Sequence, residues 1–107
     1  MSAREKTREA FKEKYGKSEG RELYVKEVMK YTNKQNLSLL ENFDKRGRFS
    51  YHLDHKYSIS EGWKNNILPY IIGSIYNLEM LEWNKNISKG AKCSTTLDEI
   101  INKFEKE

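Results

Sequence analysis

Cysteine is almost missing from this 107-residue chain: Cys93 stands alone, so no intramolecular disulfide and no site built on several thiolates can form. Apolar runs are short. None approaches the roughly 18 residues of a membrane span, and the opening MSAREKTREAFKEK lacks the hydrophobic stretch of a signal peptide. A soluble protein of the reducing cytoplasm, with no membrane partner, is therefore expected. Hydrophobic residues make up 36% of the chain against 34% charged, which allows only a small core, though 13 aromatic residues can supply one. The length suits a single domain and excludes most cofactor enzymes built on large α/β sheets. The single proline, Pro69, falls with Gly62 and Gly73 in a stretch from 56 to 76 that reads as a long connection.

The formal net charge is only +4, but it is unevenly placed. Residues 1–60 carry +5 and residues 61–107 carry −1, so the basic half comes first. That half suits a polyanion without proving one. Residues 4–15 read as a polar helix whose large apolar contacts are Phe11 and Tyr15, marginal unless it docks. Tyr24, Val25, Val28, Met29 and Tyr31 recur at helical spacing, and Leu37, Leu39, Leu40 and Phe43 suggest a second short helix beyond Thr32 and Asn33. Phe49, Tyr51 and Leu53 then alternate with Ser50, His52 and Asp54, the period of a half-buried strand ending near Asp54. A helical turn is expected on either side of Asn66. Leu78–Trp83 reads as a second strand, Asn84 as the N-cap of a short helix ending at Gly90, and Thr96 with Glu99 as a capping box opening a last helix through Ile100 and Phe104. The fold class is α+β: a basic helical segment, 1–43, packed on a core, 44–107, in one domain.

Residue types that carry chemistry gather between His52 and Lys89. Asp54 and His55 end the first strand, Asn77 opens the second, and Asn86 and Lys89 lie three apart on one helix face. Two antiparallel strands under that helix can bring a carboxylate, an imidazole and two amides together, a set able to hold a hard divalent cation and activate water beside it. Strict alternation sends Asp54 and His55 to opposite strand faces, so a bulge or strand end is expected there.

The ordered set Asp54-His55, Asn77-Leu78 and Asn86-Ile87-Ser88-Lys89, with nine residues from Asn77 to Asn86, resembles the HNH nuclease family and its ββα-metal, or His-Me finger, unit. The likeness covers about residues 50–92, a block that looks like the core of small HNH endonucleases carried by phages and mobile introns. It implies a ββα-metal core flanked by N-terminal helices and a C-terminal helix. It also implies a DNA endonuclease using one divalent cation, Mg2+ or else Mn2+, and leaving 5′-phosphate and 3′-hydroxyl ends. By that likeness Asp54 and Asn86 are metal ligands, His55 is the general base, and Asn77 orients His55. Many HNH proteins add Cys-x-x-Cys knuckles holding a structural zinc. Here the corresponding places are Glu82 and Lys85, so no structural Zn2+ is expected, and contacts of Ile75, Leu81, Trp83 and the flanking helices must replace it.

Other residues keep two readings. Lys45, Arg46, Arg48 and Lys56 are candidate phosphate contacts or ordinary solvated charges. Lys89 can meet a phosphate or favour its helix C-terminus. His52 can touch metal or phosphate, or be a hydrogen-bonded strand histidine, and Trp63, Tyr70 and Trp83 can stack on bases or fill the core. Duplex DNA is the expected partner, with a homodimer or a phage or host protein as further possibilities. A non-catalytic module binding nucleic acid or protein is the alternative.

Overall fold

Phe11 and Tyr15, one helical turn apart, face Tyr24 with ring centroids 4.7–5.6 Å from one another. This aromatic knot is what docks the otherwise polar first helix. The computed structural model describes residues 3–105, with side chains from Glu9 to Lys103, so Phe104, expected on the last helix face, has its side chain outside that range. Helix α1 (Ala3–Tyr15) turns at Gly16 into α2 (Gly20–Lys34). Both Tyr15 and Lys14 are tied to Glu27 of α2, the lysine at 3.0 Å. Val28 and Tyr24 of α2 are fully buried, and they meet Ile72 in the main core cluster with Phe11 and Tyr15.

After two 3-10 turns, Leu37–Leu39 and Phe43–Lys45, the chain forms β1 (Tyr51–His55). The long connection contains α3 (Ile59–Lys64) and α4 (Pro69–Ile72), one on each side of Asn66 as expected. Ser58 caps α3 by accepting from the Glu61 N–H at 3.1 Å, and proline opens α4, where a missing N–H costs nothing. Strand β2 (Leu78–Glu82) pairs antiparallel with β1, from Tyr51 opposite Glu82 to His55 opposite Leu78. Helix α5 (Trp83–Lys89) follows at once and packs on both strands. Gly90, with φ 54° and ψ −127°, ends it in a conformation that L side chains rarely adopt. Helix α6 (Leu97–Glu105) closes the fold, burying Ile100 and packing on α4 and the 3-10 turn Ile75–Asn77. Thr96 caps it through the Glu99 N–H at 3.3 Å. Among the described residues the architecture is therefore α+β, six α-helices with a two-stranded antiparallel sheet, and no helix is long and apolar enough to cross a membrane.

Several local expectations are corrected. Helix α2 does not stop at Thr32 and Asn33 but runs through them, because the Thr32 hydroxyl bonds back to the Val28 carbonyl at 2.8 Å instead of breaking the helix. The helix expected over Leu37–Phe43 is replaced by the two 3-10 turns, separated by Asn42 in the left-handed region. β1 starts at Tyr51, leaving Phe49 outside it and 71% exposed. Asn84 lies within α5, not at its cap; the cap position is Glu82. Trp83 is exposed, and the main core cluster lies among α1, α2 and α4 instead.

Candidate functional site

The β1–β2 pairing continues in register through His55, with no bulge. Asp54 and His55 therefore point to opposite faces, and each finds its own set of partners. His52 and Asp54 share the face covered by α5, where Asn86 and Lys89, one turn apart, descend on them as a pair. Asn86 Nδ2 lies 3.2 Å from His52 Nδ1, and Lys89 Nζ lies 3.1 Å from Asp54 Oδ2 and 3.3 Å from Oδ1.

These contacts define protonation states. His52 Nε2 is 2.8 Å from the Arg48 carbonyl, which can only accept, so that nitrogen carries the proton and Nδ1 receives the Asn86 amide. With its NH2 given to His52, the Asn86 Oδ1 is left to accept elsewhere. His52 is thus the hydrogen-bonded strand histidine, and it orients Asn86.

The same logic applies to His55. Where the Thr32 hydroxyl gives its one hydrogen to the Val28 carbonyl at 2.8 Å, it accepts from His55 Nε2 at 3.0 Å, and this pairing favours the Nε2–H tautomer of His55. Nδ1 is left with a lone pair that no described residue engages. Burial, helped by the nearby Lys89 charge, pushes the His55 pKa down to about 4, so the ring is neutral at pH 7. Thr32 is the contact that the sequence did not reveal. It lies 23 positions from His55 and nothing in its neighbourhood marks it.

Asp54 is 8% exposed, and burial raises its pKa, opposed by Lys89 and reinforced by the carboxylate of Glu79 directly across the sheet. Its Oδ2 touches the ammonium of Lys89 off the angle of a hydrogen bond and has no hydrogen-bond partner of its own. Lys89 also donates to the His55 carbonyl at 3.1 Å, so it is spent inside the site, not offered to a phosphate.

Asn77 is fully buried, and its side-chain hydrogen bonds go to backbone groups and not to the His55 ring. Its Oδ1 accepts from the Tyr57 N–H at 2.7 Å, and its Nδ2 donates to the Tyr57 and Ile72 carbonyls at 3.0 and 2.8 Å. It pins the backbone that leaves His55, which positions that residue at second hand. Lys56 lies beyond this point, where its charge acts on Glu99 of α6. Trp63 is core, its Nε1 donating to the Tyr15 carbonyl at 3.2 Å.

An open cleft of about 570 Å³ is lined by Arg46, Arg48, His52, His55 and Asn86 together with Met29 and Tyr51. A smaller one of about 280 Å³, lined by Asp54, His55 and Lys89, adjoins it through the shared His55. Among the described residues no group of three His, Cys, Asp or Glu side chains is placed to hold a metal ion. The donors present nevertheless suit a hard cation that keeps several waters. Asp54 offers a buried oxygen without a hydrogen bond, and Asn86 offers a free amide oxygen. Comparison with protein-family models, with curated proteins and with solved structures finds no match to this chain.

Proposed function

We propose that the protein is a divalent-metal-dependent DNA endonuclease of the HNH type, with β1, β2 and α5 forming its ββα-metal unit. The observation that carries this reading is His55: a neutral imidazole whose Nε2 meets Thr32 while no described residue engages Nδ1, lining one cleft with Asn86 and an adjoining one with Asp54. A neutral ring with an unengaged nitrogen can accept a proton, the first requirement of a general base.

Asp54 and Asn86 would hold the cation through oxygen. When bound, it supplies positive charge to offset the growing charge on phosphate and departing 3′ oxygen. His55 Nδ1 accepts the proton of the attacking water as the new O–P bond forms and the bond from phosphorus to the 3′ oxygen breaks. The products are a 5′-phosphate and a 3′ oxygen that takes a proton from solvent to become the 3′-hydroxyl. Thr32 keeps the imidazole in the tautomer that leaves Nδ1 free, and the gathered negative charge of a bound phosphate raises the proton affinity of the ring above its resting value. His52 aims Asn86, and Arg46 and Arg48 at the cleft wall bind backbone phosphates without choosing sequence.

One observation favours a second reading, a non-catalytic nucleic-acid-binding module. Lys89 already neutralises Asp54, as suits a site that never takes a metal. Supercoiled plasmid separates the two. With Mg2+ or Mn2+ an endonuclease yields nicked or linear DNA with 5′-phosphate ends, whereas a module retards the plasmid in a gel and leaves it supercoiled.

A further inference from the structure

Phe49 leaves 71% of its surface to solvent although the chain around it is well tied down. Gly47 donates to the Tyr51 carbonyl at 3.1 Å, Trp83 to the Ser50 carbonyl at 2.8 Å, and His52 to the Arg48 carbonyl. The ring is edge-on to Trp83 with centroids 5.6 Å apart, and the Arg48 guanidinium lies 5.3 Å from its centre. The ring forgoes the burial that ordinarily stabilises an aromatic side chain, and with the exposed Trp83 it forms an apolar pair open to solvent. The chemistry around it narrows the partner it fits. The Arg48 guanidinium lies against the ring, the Lys45 ammonium lies over the neighbouring Tyr51 ring at 5.9 Å, and Arg46 and Arg48 line the same cleft as His55 and Asn86. An apolar ring with a guanidinium against it, next in sequence to an arginine that lines the cleft, matches a nucleotide: base on ring, phosphates on arginines.

We propose that Phe49 stacks against a nucleobase of the bound nucleic acid, holding the strand so that an adjacent phosphate lies over the His55 cleft. This rests on the nucleic-acid reading above and deepens it by naming the base contact. The base can come from a duplex step opened by the ring or from an unpaired strand.

Fluorescence anisotropy tests it with the full chain in EDTA, where no cleavage occurs, using a labelled 20-base-pair duplex and one of its strands alone. Phe49→Ala should weaken binding about 5- to 100-fold on at least one of the two, with the salt dependence unchanged because no charge is removed. Phe49→Tyr, which keeps a ring, should bind within about threefold of wild type. The DNA that loses affinity identifies the source of the base. If wild type binds and Phe49→Ala binds both DNAs equally well, or if the tyrosine variant is as weak as the alanine one, the stacking proposal is overturned while nucleic-acid binding stands. If wild type binds neither DNA at low salt, both fall together.

Discussion

The Thr32 hydroxyl oxygen accepts a hydrogen bond from His55 Nε2 at 3.0 Å, because its own hydrogen is committed to the Val28 carbonyl. A residue inside the longest helix thereby decides which imidazole nitrogen is free to take a proton. Thr32→Val keeps the shape and removes the acceptor, leaving a buried Nε2–H unpaired or forcing the other tautomer. Plasmid cleavage should fall about 10- to 100-fold with little change in DNA binding, and Thr32→Ser should restore most of it. Nitrogen chemical shifts of the His55 ring should show Nε2–H in wild type and Thr32→Ser. They should show a mixed population in Thr32→Val.

Acid should destabilise the protein through the same histidine. His55 titrates at about 4 when folded against an ordinary 6.5, so between those values the unfolded chain binds more protons. Stability is unaffected by this group above pH 6.5 and declines as pH falls toward 4, by about 2 kcal/mol at pH 5. Asp54, whose carboxyl is raised by burial, works in the opposite sense at the acid end of the range. Urea unfolding at pH 7 and pH 5 should show the loss in wild type and a smaller one in His55→Gln. Equal losses would show that His55 is not the group responsible.

Asn77 is expected to matter for the fold before it matters for chemistry. Asn77→Ala strands the Tyr57 N–H and the Tyr57 and Ile72 carbonyls in the interior, at a cost of about 3 kcal/mol or more. Its melting temperature should drop by 10 °C or so. A variant that melts like wild type yet cuts no DNA would instead place Asn77 in the reaction.

Gly62 tests the seam between α3 and the core. A methyl group there would lie 2.5 Å from the Tyr24 hydroxyl and 2.8 Å from Ile72 Cγ1. Tyr24 cannot retreat, being fully buried with its hydroxyl donating to the Ile67 carbonyl at 2.6 Å. Gly62→Ala should therefore cost about 1–3 kcal/mol in urea unfolding, whereas an unstrained helix would gain from the same change.

Local signals in the chain foretold much of this architecture. The Phe11–Tyr15 spacing, the punctuation around Pro69 and the Thr96 cap all correspond to elements where neighbours in sequence decide the outcome. Asp54, His55, Asn86 and Lys89 could be grouped in advance because strand and helix periods alone bring them to one end of the sheet. Thr32 could not, since its contact with His55 depends on how α2 packs across the core. Nor could the true position of Asn77, whose amide meets backbone groups that no pattern of side chains encodes. Phe49 misled for a simpler reason: alternation over three residues looks the same whether the strand starts at Phe49 or at Tyr51.

The most direct measurement is the initial rate of supercoiled plasmid cleavage at saturating Mg2+ by wild type and by His55→Ala, with DNA binding measured alongside. With His55 as general base, wild type cleaves and the variant is slower by about 100-fold or more while binding DNA equally. Equal rates in the two proteins, or no cleavage by wild type with either Mg2+ or Mn2+, would contradict it.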